Sequence, residues 1–480
     1  MTRRTALIVA ISLAALHLLL AGFYASVTPY RTSGYLMGQR NPETGGPQSV
    51  PDVGAPDERQ HVNYTLSLLQ GRGFPVLDPK DPNLIENYQA HQPPLFYLLH
   101  AGWCRLTGAD PVSPDDGVRV RLLNALIGAI TVLGAFYLGV WGFGRSDLGI
   151  VAASFVALLP MNTALSGAVS NDPLLYCLCA WTIALTAKGV KKGWNLKLAI
   201  VIGVLTGLAI LTKTTAVALL PSLLCAALIS APRPKSIWIA GCIAAIAIVS
   251  APWLIRNQNL YGDPLAISAF NEAFKNSPSR ELITQVATVQ NVGKDPNFAY
   301  WTDWVGWWTA RSFFGAFGYM DIFLNEYGVP MTSPRNPNAL YRMLLALGIV
   351  VIGLWAFALR RLEWTEHRRN HILVGTFFVV VVILFIRFNM QYFQGQARYL
   401  FPAIAVMGIG VGVATLNLAR GRWWAALAVV VAILGGLNLY ALSRLPEEFK
   451  KRTTIPVAQI QTERPGSHVL SGNAGETARV

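Results

Sequence analysis

The sequence predicts an all-α polytopic membrane protein, a bundle of about 11 transmembrane helices with juxtamembrane helices in the first outer loop. Three observations carry that reading. Of 480 residues, 53% are apolar and only 13% are Asp, Glu, Lys or Arg, against roughly 25% of those four in an average soluble domain. Mean hydropathy is +0.41, and the apolar residues fall in long blocks. The Lys and Arg residues cluster between those blocks, so the net charge of +14 reflects orientation in a bilayer and implies no nucleic-acid partner. A soluble globular enzyme, a disordered chain and a disulfide-stapled secreted domain are excluded. The five cysteines offer neither a disulfide framework nor zinc-ligand spacing.

The first apolar run, near 6–27, follows Arg3 and Arg4 and is longer than a signal-peptide core. It reads as an uncleaved span with a cytoplasmic N-terminus. Residues 28–117 then form a first outer loop. Spans follow near 118–142, 147–168, 173–187, 197–212, 214–231 and 237–254. A second long outer loop covers 256–339, and further spans lie near 340–359, 372–388, 400–419 and 424–442. Charge checks the parity. The inward turns carry Arg145; Lys188, Lys191, Lys192 and Lys197; Arg233 and Lys235; Arg360, Arg361, Arg368 and Arg369; Arg420 and Arg422. The short outward turns near 170 and 213 hold one lysine between them. The membrane domain is therefore 1–445, and 446–480 is a polar external tail.

In the first outer loop, Pro56-Asp57-Glu58-Arg59-Gln60-His61 opens a helix that Gly71 ends. Proline suits the first helical position and acids suit the first turn. Two readings stay open: an ordinary capped surface helix, or a carboxylate held at the membrane surface with His61 one turn below Asp57. His91-Gln92-Pro93-Pro94 precedes an apolar stretch too short to span, which lies along the interface or dips into it. The free amides after the prolines form an anion site at headgroup depth.

Asn171-Asp172-Pro173 interrupts an apolar stretch at the outer surface. Asp172 reads equally as a helix cap and as a functional acid beside hydrocarbon. Lys213 either snorkels to the headgroups or meets a phosphate. Arg256-Asn257 and Tyr261-Gly262-Asp263-Pro264 mark a turn where a span emerges outside. Trp301, Trp304 and Trp308 read as an interfacial aromatic belt, with sugar stacking as the alternative. Gln396-Ala397-Arg398-Tyr399 places an arginine outside, where orientation by charge gives no reason for one.

In order along the chain, these pieces resemble the polytopic GT-C glycosyltransferases. The likeness is to the family-39-like group, which includes protein O-mannosyltransferases and the aminoarabinose transferase that modifies lipid A. The resemblance implies a sugar donor on a polyprenyl phosphate and a site opening to the outer face of the cell membrane. It implies that Asp57 is the catalytic aspartate and Glu58 its companion acid. His91, in place of the family's lysine or histidine before a proline pair, would lie near the donor phosphate. One departure is Ala397, where relatives often carry Gly directly before the arginine.

Chemistry agrees with that implication. A departing lipid phosphate is a stable anion, so the second carboxyl that a glycosidase uses as an acid is unnecessary. One base and several cations suffice. Asp57 supplies the base; Arg59, His91, Lys213, Arg256, Arg398 and Tyr399 supply the donor site; Asn171 and Asp172 form a second acidic site. Direct displacement by the acceptor inverts the anomeric carbon. No metal is required, although Asp57, Glu58 and Asp172 leave room for a divalent cation. The acceptor, whether protein, lipid or glycan, and the sugar are not legible. The competing reading is a non-enzymatic translocase of lipid-linked sugar.

Overall fold

The structure, a computed structural model, describes residues 2–40, 47–275, 277–290, 293–324, 339–361 and 367–453. Its architecture is a helical bundle with two short β-hairpins on one side. α1 (Arg3–Val27) crosses first, burying Ala6, Ala10, Leu13, Ala14, His17, Ala21, Tyr24 and Ala25 along one face. That small-residue stripe lets it pack closely on α4 (Gly117–Tyr137), whose last turn widens into a π-turn through Phe143. At the crossing, Gly128 leaves no room for a side chain, since a Cβ would stand 2.4 Å from His17 Nε2 and 2.5 Å from Ser166 Oγ.

α5 (Ser146–Leu158) and α6 (Pro160–Ser166) form one span bent by 65° at Leu159-Pro160, as a proline inside a helix dictates. α7 (Asp172–Lys192) follows. The short apolar helices α8 (Leu196–Ile210) and α9 (Leu219–Ser230) come next, broken between them at Leu211–Lys213. α10 (Lys235–Tyr261) runs out past the apolar core. Eight described helices are long and apolar enough to cross a membrane, nine with the bent pair. The shorter apolar helices α8 and α9 lie where the sequence places the runs 197–212 and 214–231.

The described residues of the expected first outer loop are structured. β1 (Gly34–Arg40) and β2 (Pro47–Val50) pair antiparallel. α2 (Glu58–Leu69) packs against α3 (Leu95–Thr107), which buries Phe96, Tyr97, His100, Ala101 and Cys104 and exposes Leu98, Leu99 and Leu106. One apolar face on protein and one facing outward is the geometry of an interfacial helix. From the second outer loop, α11 (Ile267–Ala273) sets Phe270 against the His91 ring at 5.1 Å, and Phe274 meets Tyr88 at 5.6 Å.

The tryptophan run departs from expectation. Trp304 and Trp308 are buried inside the protein, against Phe393 and Phe323 at 5.7 and 5.5 Å. They seat α12 (Trp307–Phe314) and the hairpin β3 (Ala316–Phe317) and β4 (Ile322–Phe323) in the bundle, so they do not form a headgroup belt. α13 (Ala339–Ala358), α14 (Arg368–Gln391) and α15 (Ile404–Leu418) complete the later spans. The last span, α16 (Trp423–Val430), passes through a π-turn into α17 (Gly436–Thr453).

α17 corrects the boundary expected at 445. The helix runs through Pro446, because Leu445 and Phe449 are buried and Arg452 forms a buried ion pair with Asp321 at 2.6 Å. The remainder of the expected tail, 454–480, lies outside the described residues, as does 325–338 of the second outer loop.

Candidate active site

The site is built where the N-terminal ends of α2 and α7 and the C-terminal end of α14 converge with the break after α8. Asp57 directly precedes α2 but does not cap it. Its backbone is left-handed (φ 62°), and its carboxylate makes no hydrogen bond to its own helix. A non-glycine residue in that conformation is strained, and such strain concentrates at functional positions. The carboxylate is thereby turned away from the helix. Oδ2 accepts from Arg398 Nη2 at 2.7 Å and Oδ1 from the Tyr88 hydroxyl at 2.5 Å. Burial by itself would raise this carboxyl, but Arg398 and Tyr88 outweigh it and hold it down at about 2.

Arg398 enters from a 3₁₀ segment, Ala397–Ala403, that leads into α15. Gly395 makes that entry possible: a Cβ there would stand 3.0 Å from Trp308 and 3.1 Å from the Val305 carbonyl. Ala397 N then donates to Ser312 Oγ at 2.9 Å, and the Arg398 carbonyl accepts from the Tyr176 hydroxyl at 2.8 Å. The backbone glycine the site needs is therefore Gly395, two residues before the position where relatives often carry one.

A second ion pair stands beside the first. Asp172, in the first turn of α7, accepts from Lys213 Nζ at 2.6 Å. Asn171 binds the Thr212 carbonyl and Gln92 Oε1, each at 3.2 Å, tying α7 to the broken segment between α8 and α9. The Tyr399 ring underlies both cations, 5.2 Å from the Arg398 guanidinium and 5.7 Å from Lys213 Nζ. Asp57, Arg398, Tyr399, Asn171, Asp172 and Lys213 are thus brought together, as the sequence predicts. Several buried atoms in the cluster have no partner: Asp172 Oδ2, Asn171 Oδ1 and Arg398 Nε. Buried polar atoms left unpaired are costly, so these three atoms are the positions in the cluster that water or a polar ligand would satisfy.

Other expected residues are placed differently. Glu58 faces away from Asp57, fully buried, and forms a bidentate pair with Arg121 at 2.8 and 2.5 Å while accepting from Val169 N at 2.7 Å. Arg121 also donates to the carbonyls of Ala25, Thr28 and Pro29. The pair locks the start of α2 to α1 and α4, so Asp172 is the second acid of the cluster in place of Glu58. Arg59 binds Glu86 at 2.8 Å, beside the site. Arg256 stacks on Trp253 at 4.4 Å and donates to the carbonyls of Phe74 and Pro75, holding the first outer loop onto α10.

His91 lies at the site but does not act as a cation. Its Nδ1–H donates to the Tyr88 carbonyl at 2.7 Å and its Nε2 accepts from the Gln92 amide at 3.1 Å. Burial, reinforced by Lys213, lowers it to about 4, so the ring is neutral at pH 7. The expected anion site after the prolines is also partly spent, because Leu95 N already donates to the Leu211 carbonyl at 2.9 Å. Among the described residues no three His, Cys, Asp or Glu gather as metal ligands, and the trio Asp57, Glu58 and Asp172 does not assemble. Sequence reasoning missed Tyr88 and Tyr97, neutral aromatics in an aromatic-rich chain that carried no signal of their own. His61 was marked only by its helical spacing from Asp57.

Residues 91–255 match the family described as dolichyl-phosphate-mannose-protein mannosyltransferase. Among solved structures the chain is similar to ArnT from Cupriavidus metallidurans bound to undecaprenyl phosphate, at 15% identity and a TM-score of 0.51 over 92% of this chain and 65% of that one. It is also similar to the oligosaccharyltransferase AglB from Archaeoglobus fulgidus in complex with an inhibitory peptide and a dolichol-phosphate, at 14% identity and a TM-score of 0.53 over 96% and 61%. The chain spans less than two thirds of the length of either structure. No curated protein matches. The fold is the GT-C membrane fold.

Proposed function

We propose that this chain is an inverting glycosyltransferase that moves a sugar from a polyprenyl-phosphate donor to an acceptor hydroxyl at the outer face of the cell membrane. The observation that carries the reading is the pairing of a strained, buried aspartate with an arginine beside a second lysine–carboxylate pair, at the end of the bundle where loops replace apolar helix. The family matched and the lipid phosphates bound by ArnT and AglB support the same donor class.

In this reading both cations are masked by carboxylates until the donor enters. Its phosphate competes for Arg398 and Lys213, and Arg398 leaves Asp57. Burial of the carboxyl is then no longer offset by the guanidinium, so Asp57 becomes a stronger base when the donor is in place. Asp57 takes the proton of the acceptor hydroxyl as that oxygen attacks the anomeric carbon. The bond from that carbon to the phosphate oxygen breaks, with its electron pair going to the phosphate. Arg398 and Lys213 hold the charge that develops there. In-line displacement inverts the centre.

Membranes carrying the wild-type chain or Asp57→Asn, supplied with a polyprenyl-phosphate sugar, test the mechanism. Transfer should fall at least 100-fold in the variant, within the range general-base catalysis contributes. Undiminished transfer would remove Asp57 from its role.

A further inference from the structure

His61 lies one turn along α2 from Asp57 and is almost completely buried. Asp57, Lys213, Asp172 and Arg398, the charged residues of the site, all act on its ring. Its ring carries one hydrogen bond, between Nδ1 and the Tyr97 hydroxyl at 2.8 Å. Tyr97 is in turn fixed by stacking on Tyr64, with ring centroids 3.7 Å apart and planes within 4°.

Among the described residues the buried Tyr97 hydroxyl has no other hydrogen-bond partner. The pairing that uses its hydrogen has it donate to His61 Nδ1, which then offers a lone pair. The imidazole hydrogen then resides on Nε2. Nε2 makes no hydrogen bond within the protein, although it is not one of the buried orphan atoms. The ring is carried one turn from Asp57, and the charges of the site act on it. His91, on the other side of Tyr88, has both nitrogens engaged and offers nothing comparable.

A free N–H in a cluster that holds two cations suits an oxygen of an anion. Both Asp57 oxygens are occupied, and Asp172 Oδ2 remains unpartnered without accepting from His61. We propose, resting on the donor class inferred above, that His61 Nε2–H donates to a non-bridging oxygen of the lipid phosphate, and that Tyr97 is the positioning residue that keeps the proton on that nitrogen. A neutral donor adds a third contact to the phosphate without a third charge. The bond is charge-assisted through its acceptor alone, so the contact orients the phosphate without adding a third ion pair that the departing lipid phosphate would have to break.

The test is binding of a short-chain polyprenyl phosphate to the purified full-length protein in detergent, followed by tryptophan fluorescence, together with steady-state transfer. His61→Ala should weaken binding about 10-fold, the usual scale for one lost hydrogen bond in a dry site. His61→Gln, whose amide N–H reaches the position of Nε2, should recover most of that loss. Tyr97→Phe should raise the donor KM several-fold, and in the His61→Gln background it should add nothing. A merely structural histidine would not be rescued by glutamine, nor would its loss mask that of Tyr97. Wild-type affinity in folded His61→Ala overturns the proposal; if that variant does not fold, wild-type donor KM in Tyr97→Phe does so. In either case, binding by the wild type leaves the donor class standing. Failure of the wild type to bind polyprenyl phosphate at all refutes the donor class itself and this contact with it.

Discussion

At the scale of single residues, the informative feature is what Asp57 does not do. An aspartate before a helix ordinarily spends its carboxylate on the first free amides. Here a left-handed backbone denies it that role and Arg398 takes it up instead. The pH dependence follows. With Arg398 in place, the empty protein holds Asp57 at about 2 despite the opposing effect of burial, so its carboxylate stays ionised throughout the working range. Once a donor phosphate draws Arg398 away, the carboxyl rises and protonates at higher pH. Because kcat/KM reports the free enzyme and kcat the donor complex, the acid limb of kcat should lie above that of kcat/KM. Initial-rate profiles between pH 4 and 8 check this. Coincident limbs would mean that Arg398 never leaves its partner.

At the scale of elements, the sequence marked the right segments but not their internal wiring. His91–Pro94, Asn171–Asp172 and Lys213 were legible because polar residues interrupting apolar runs are costly and conspicuous. The direction in which adjacent acids point was not legible, because it depends on a partner 63 residues away: Glu58 turns inward to Arg121. Trp304 and Trp308 were ambiguous for a related reason, since an interfacial belt and a buried aromatic seam leave the same sequence pattern. The wiring makes its own prediction. Arg121→Met leaves the Glu58 carboxylate buried and unpaired, and removing one partner of such a pair costs about 3–5 kcal/mol. The melting temperature in detergent should drop sharply, and adding Glu58→Gln should restore part of it. Equal melting of the single variant and the wild type would show the pair to be dispensable for folding.

At the scale of the whole molecule, the alternation of basic short turns and long loops predicts that the site faces outward. The long spans were legible in order because bilayer thickness sets helix length: eight described helices are long and apolar enough to cross, nine with the bent pair. The short pair α8 and α9 was the weak point, since neither is long enough alone. In the structure their break at Leu211–Lys213 delivers Lys213 to Asp172, so the shortness has a use: it ends apolar helix where the site begins. All of this requires that Asp57 and Lys80 share one side of the membrane and Lys192 the other. Lys80 is exposed in the first outer loop and Lys192 is exposed at the inward end of α7, while Cys104, Cys177 and Cys179 are buried. With Cys225 and Cys242 replaced by serine, Lys80→Cys should react with a membrane-impermeant maleimide in intact cells, and Lys192→Cys only after permeabilisation. Outward-facing phosphate chemistry needs that asymmetry. If the labelling pattern were reversed, Asp57, Arg398 and Lys213 would face the cytosol, and a donor presented at the outer leaflet would never reach them.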